Sequence, residues 1–196
     1  KKAYESRDPR MDASVIVPYA TYNGLFGISP AAVTSRYPFR AEAAVNGDLR
    51  TDTQAEFYYL HRKFVYEGNA ELLNRSFGPI DFPVIRYADV LLMAAEAYNR
   101  DTTSNDTKAQ QYLNLVRARA FGDNLHNITS TGATLKQAIW DERRLELAME
   151  GERFFDLVRT GQAVGKITGF QVGKHEVFPI PQLEIDISVL TQNNGY

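Results

Sequence analysis

Cysteine is absent from the 196 residues. That removes disulfides, thiolate nucleophiles and cysteine-ligated zinc together. It leaves the compartment open, since a chain of this length can build a core without a disulfide. An excess of one charge is missing too: the formal net charge is -2. Such a balance gives no field that would draw a nucleic acid or an anionic membrane. Basic residues interleaved with aromatics, as single-stranded nucleic acid requires, are not found, so no nucleic-acid partner is expected. No apolar run reaches about 18 residues, so nothing reads as a membrane span. A charged n-region followed by an apolar h-region is not seen at the N-terminus. The chain starts at Lys1 rather than methionine, which reads as a processed or truncated piece.

Catalytic signatures are equally sparse. Only three histidines occur, His61, His126 and His175, far apart and without the spacing of an HExxH pair. No metal site and no cofactor are expected from them. Neither GxSxG nor GxGxxG is present. The run GQAVGKIT (Gly161 to Thr168) has one residue too few between its glycines for a phosphate loop. It also carries Ile167 where a magnesium-binding hydroxyl would stand.

What is present is a globular composition, with 44% hydrophobic and 23% charged residues, enough for one domain or slightly more. The most structured stretch is Thr134 to Gly161. Thr134 and Gln137 have capping-box spacing, which predicts a helix start there. At about 100° per residue, Leu135, Ile139 and Leu157 share one arc, and Trp140, Leu147, Phe154 and Val158 form a second apolar side. A helix apolar nearly all round is enclosed, and Trp140 is assigned to the core. Glu142, Arg143, Glu146, Glu150 and Arg153 fall in or beside the first arc. Enclosed charges must be paired, which predicts an internal ionic ladder of Glu142, Arg143, Glu146, Glu150, Arg153 and Asp156. Within it Arg143 reaches Glu146, and Arg153 reaches Glu150 and Asp156. The alternative is an ordinary solvated charged face. Gly151 separates two helical segments, and Gly161 closes the second.

Asp81 to Arg100 predicts another mostly apolar helix, with Val84, Ala88, Leu91, Ala95 and Tyr98 in register and Pro83 in its first turn. After a polar link capped by Ser104 or Asn105, Ala109, Tyr112, Leu113, Val116 and Ala120 predict its hairpin partner, and Arg117 and Arg119 suit that helix's dipole. Upstream, Asp8-Pro9 reads as a turn and Ser14 to Tyr19 as a short strand. Tyr22 to Tyr37 reads as loop, and Gln54 to Tyr66 as a strand pair or a short helix. Downstream, glycines at 161, 165, 169 and 173 predict a turn-rich excursion, Glu176 to Ile180 an extended run, and TQNNGY a polar tail free to fray.

Two chemistries fit these residues. Paired carboxylates could hydrolyse a glycoside if they stood about 5–10 Å apart across a cleft. The arginines among Glu142, Glu146 and Glu150 favour structural pairing, because a carboxylate beside arginine keeps a low pKa and is a poor general acid. Exposed aromatic rings could instead stack on sugar faces. Tyr19, Tyr22, Phe26, Tyr37 and Phe39 lie in breaker-rich sequence and are the candidates for such rings. The alternative is that they pack in a local core.

Five stretches in order, RDPRM (Arg7 to Met11), FPVIRYADVLLMAAEAYNR (Phe82 to Arg100), ERRLELAMEGERFFDLVRTG (Glu142 to Gly161), KHEVFPIP (Lys174 to Pro181) and QNNGY (Gln192 to Tyr196), together resemble the C-terminal signature of the SusD/RagB family. The resemblance implies a mainly α fold, the C-terminal part of a tetratricopeptide-like αα-superhelix, with irregular loops and short β segments. Residues 1–80 would be loop-rich with short strands, 81–161 a helical core and 162–196 a turn-rich tail. Family members are much longer, and their N-terminal helical-repeat half has no counterpart here; an exposed apolar flank is expected where it would dock. The implied function is non-catalytic capture of an oligosaccharide by a lipoprotein at the bacterial outer-membrane surface, with a SusC-like TonB-dependent transporter as partner and no cofactor. The lipidated cysteine that the family implies would lie outside this chain. Peptide capture of the RagB kind, or a carboxylate-dependent glycosidase, are the alternatives.

Overall fold

A computed structural model of the chain describes residues 8–16, 21–23, 32–34, 60–64 and 81–196. It divides into two compact units, residues 1–149 and 150–196. The mainly α character expected from the sequence holds. Among the described residues, strands occur only as two short antiparallel ladders.

In the first unit, Asp8 and Pro9 form the expected turn, and helix α1 (Arg10–Ser14) follows. Strand β1 (Val15–Ile16) pairs antiparallel with β4 (Leu60–His61), so part of the ambiguous stretch 54–66 is strand once a partner is supplied. Strands β2 (Thr21–Asn23) and β3 (Ala32–Thr34) also pair, which corrects the loop reading of 22–37 at those residues. Breaker residues locate turns but say nothing of ladders formed between them.

Three helices make the core. Helix α2 (Tyr87–Arg100) packs on α3 (Asp106–Phe121) and on α4 (Gly132–Glu146). Leu91, Leu92 and Ala95 of α2 meet Ala109, Leu113 and Val116 of α3 and Leu135 and Ile139 of α4. Tyr98 and Tyr112 stack face to face at its edge, 5.6 Å apart. Asn105 caps α3 as expected, accepting from the Lys108 amide at 3.0 Å. The polar side of α3 then binds the next loop. The Asn114 side chain accepts from the Ile128 amide at 2.8 Å and donates to its carbonyl at 2.9 Å.

Three local expectations fail because tertiary contacts decide them. Helix α2 begins at Tyr87, not Asp81; Arg86 is extended (φ -132, ψ 161), and Phe82, Val84 and Ile85 are exposed ahead of the helix. Helix α4 begins at Gly132, two residues before the capping box, and Thr131 makes no side-chain cap. Its first amide donates instead to Asp106 of α3, Gly132 N to Oδ2 at 2.7 Å. Trp140, assigned to the core, is half-buried, with the Lys136 ammonium 5.3 Å above its ring. An apolar flank is exposed on α2, where Tyr87, Val90, Met93 and Ala97 share one arc. On α4 the apolar positions Leu135 and Ile139 are fully covered.

In the second unit, helix α5 (Arg153–Arg159) buries Leu157. Beyond it, three successive turns close with hydrogen bonds from Lys166 to Ala163, Phe170 to Ile167 and Lys174 to Gln171. The third residue of each is glycine, at φ of 78°, 79° and 81° for Gly165, Gly169 and Gly173, a conformation a side chain would strain. The four-residue glycine spacing is therefore the period of a turn repeated in tandem. The extended run expected from Glu176 to Ile180 is only partly found: Glu176 belongs to a turn and Val177 to a bend, and residues 178–181 lead irregularly into helix α6 (Gln182–Ile187), which buries none of its residues. The tail, expected to fray, is pinned: Gln192, Asn193 and Tyr196 all bond to the main chain of 177–180.

The capping result is testable. Asp106→Ala should lower stability by about 1 kcal/mol, as loss of a helix cap does, whereas Thr134→Ala should change it by no more than about 0.5 kcal/mol. Urea midpoints of the two variants measure the difference.

Candidate functional site: a buried arginine–carboxylate cluster

Helix α4 presents Glu142 and Glu146 one turn apart, and only 1% and 4% of their surfaces are exposed. Carboxylates this deep need counter-charges, because an unpaired buried ion costs several kcal/mol or more, as an order of magnitude. The partners come from three other places in the chain. Arg10 donates through Nη1 to Glu142 Oε1 at 2.5 Å and to Glu146 Oε2 at 3.2 Å. Arg117 Nη1 donates to Glu142 Oε2 at 2.6 Å. Glu146 Oε1 accepts from Arg86 Nη1 at 2.6 Å and from Arg119 Nη2. Arg10 is itself held by Asp8, which accepts from Nη2 at 2.7 Å and from Nε at 3.0 Å. Beside this set, Arg143 Nη1 donates to Asp89 Oδ1 of α2 at 2.6 Å.

The end of α4 is satisfied by the same cations. The Glu146 carbonyl accepts from Arg86 Nη2 at 2.6 Å and from Lys63 Nζ at 2.9 Å, so positive charge meets the negative end of the helix dipole. The extended Arg86 ahead of α2 is thus in place to bond both the side chain and the carbonyl of Glu146. Phe121 closes one side, with the guanidinium carbons of Arg117 and Arg10 at 5.3 Å and 5.8 Å from its ring centre and His126 stacked on it at 3.9 Å.

Electrostatics follow from these contacts. Burial alone would raise the pKa of Glu146, but the Arg86 hydrogen bond and the charges of Arg119 and Arg86 outweigh it, and the pKa is lowered. Burial works against the Arg10 cation, yet its bonds to Asp8 and Glu142 raise its pKa. Asp123 is held low by its hydrogen bond to His126. A carboxylate locked ionised among guanidinium groups has no proton to give, so Glu146 is unsuited to act as a general acid.

The structure brings Glu142, Arg143 and Glu146 into one buried neighbourhood. The pairings it displays run between helices, and the partners Asp8, Arg10, Arg86, Asp89, Arg117 and Arg119 were not foreseen as a set. Arg119 lies in the last turn of α3, as the dipole reading expected, and both Arg117 and Arg119 also reach the carboxylates of α4. The remaining members of the expected ladder belong to the second unit. Glu150 and Asp156 are buried there, and Asp156 pairs with Arg159 at 2.6 Å. Arg153 opens α5, half-buried. Of the ring candidates, Tyr22 lies in β2, while Tyr19, Phe26, Tyr37 and Phe39 lie outside the described residues. A signal for the cluster did exist: RDPRM, FPVIRYADV and ERRLELAM each contribute two or three of its charges, and only the fold shows that they converge.

These motifs have relatives. The SusD family model matches residues 1–175, and the chain belongs to that family. SusD-like protein P25 of Formosa agariphila is 36% identical, over 58% of this chain and 24% of its own length. A SusD superfamily protein of Bacteroides vulgatus, known from its crystal structure, aligns with 96% of this chain and 40% of its own at TM-score 0.67 and 28% identity. Surface glycan-binding protein A of Bacteroides uniformis aligns with 98% of this chain and 39% of its own at TM-score 0.59 and 24% identity, a likeness of fold. The chain therefore spans about a quarter of the curated relative and two-fifths of the solved ones.

Two outcomes test the cluster. Glu142→Ala should cost about 3–5 kcal/mol in urea unfolding, since it removes the buried carboxylate that Arg10 and Arg117 share, whereas Arg119→Ala, removing a side chain 60% exposed, should cost at most about 1 kcal/mol. Because the pKa of Glu146 is lowered on folding, its contribution is complete above its ordinary value of 4.5 and is lost as pH falls below that. Stability should therefore drop on acidification through this range. The drop should be shallower in Glu146→Gln, as read from urea midpoints taken between neutral pH and about pH 3.

Proposed function

We propose that this chain is part of a SusD-like binding protein that captures an oligosaccharide, without catalysis, at the bacterial outer-membrane surface. It would pass that glycan to a SusC-like TonB-dependent transporter. The observation that carries the reading is family membership along residues 1–175, in which the family motifs map onto a charge cluster built for structure. The lowered pKa of Glu146 argues against acid chemistry at that cluster. Likeness of fold to a protein named as a surface glycan-binding protein agrees with the sugar assignment. Among the described residues no helix is long and apolar enough to cross a membrane, so attachment at the surface would rest on the lipid anchor that the family resemblance implies.

The proposed sugar contacts are Tyr19, Tyr22, Phe26, Tyr37 and Phe39, each offering a ring face to C–H groups. Isothermal titration of the full protein with a panel of oligosaccharides tests the reading. Saturable binding of at least one glycan is expected, and changing a contacting ring to alanine should cost about 1 kcal/mol, or about fivefold in Kd. Failure to bind any glycan while binding protease-generated peptides would move the assignment to peptide capture. Turnover of a polysaccharide abolished by one acidic substitution would replace it with a glycosidase.

A further inference from the structure

The terminal motif QNNGY has no part in the charge cluster, yet almost every residue of it has a defined partner. Gln192 grips Ile180 with both ends of its amide, accepting from the Ile180 amide at 2.8 Å and donating to the Ile180 carbonyl at 2.9 Å, while its Oε1 also accepts from the Asn193 amide at 2.9 Å. Two residues of a ladder exchange the same pair of bonds, here supplied by a side chain. Asn193 Nδ2 donates to the Phe178 carbonyl at 2.6 Å, and the Tyr196 hydroxyl to the Val177 carbonyl at 3.0 Å. The Tyr196 ring lies 4.7 Å from the Lys174 ammonium. Gly195, at φ +88, adopts a conformation that a side chain would strain, and a Cβ there would press on the Lys174 side chain 3.1 Å away. Asn194 alone is exposed without such a contact.

We propose that the main-chain edge Val177–Ile180, together with Lys174, is a peptide-binding groove that reads Gln-Asn-X-Gly-Tyr and is filled here by the chain's own last five residues. Each specified position has its own chemistry: a bidentate amide at the first, an amide donor at the second, a bare backbone at the fourth and a ring with a hydroxyl donor at the fifth. Pro179 and Pro181 flank Ile180, leaving its amide and carbonyl to the Gln192 side chain rather than to a regular ladder. The contacts draw on side chains rather than on a continuous strand, so the tail is held as a ligand is held and is exchangeable with a peptide of the same sequence. This inference is independent of the glycan-binding proposal.

The probe is a fluorescein-labelled peptide of residues 188–196, SVLTQNNGY. A chain ending at Thr191 should bind it saturably in fluorescence anisotropy. The intact chain should bind at least about tenfold more weakly, because its groove is occupied. Peptides with Gln192→Leu or Gly195→Ala should also bind about tenfold more weakly than the native sequence. A shortened chain that keeps its helical circular dichroism and shows no saturable binding, or that binds all three peptides alike, overturns the proposal. If the shortened chain loses that signal, hydrogen exchange in the full-length protein decides. Gln192→Leu should speed exchange of the Ile180 amide about tenfold while Asn194→Ala leaves it unchanged, and equal protection in both refutes the groove.

Discussion

Two carboxylates on the inner face of one helix impose the condition that the first unit must meet. Glu142 and Glu146 leave water when α4 packs against α2, and in a low-dielectric interior ionised carboxylates persist only if cations are brought to them. One helix cannot supply those cations in the right geometry. They arrive from the N-terminal turn, from the residue before α2 and from the last turns of α3, so segments up to 136 residues apart in sequence are tied to two side chains. A buried network of this kind is weak evidence for high stability, since replacing it by well-packed apolar groups can be neutral or better. What it supplies is arrangement. Any slip of α2 or α3 along α4 would leave a charge without its partner.

That requirement explains departures from local rules elsewhere. Arg86 is extended rather than helical, and in that position it bonds both the carboxylate and the terminal carbonyl of Glu146. Asp106 of α3 takes the first amide of α4, leaving Thr131 and Thr134 without a capping role. In both cases a neighbour did what a local sequence pattern proposed to do. A second device recurs on a smaller scale. Asn114 grips Ile128, and Gln192 grips Ile180, each with both ends of a side-chain amide, so irregular segments gain pairing without a sheet.

The proposed binding role fits a scaffold of this sort. Binding proteins need a surface held still, and ordering lost before the ligand arrives is not charged to affinity. Arginine-paired carboxylates hold elements in register, and the tandem glycine turns of the second unit carry the chain to its pinned tail.

The three helices were legible because apolar spacing along a helix reports burial directly, as Leu91, Leu113 and Ile139 demonstrate. That the charges of α4 would be enclosed was legible as well, because they interrupt an apolar arc. Ordered motifs sufficed to suggest the family. Which cation meets which carboxylate was decided only in three dimensions. Electrostatic partners depend on distance in space, and no periodicity records that Arg10 lies beside Glu142. The same holds for the tail: QNNGY reads as polar and free, and only the placement of Val177–Ile180 beside it turns those side chains into bonds.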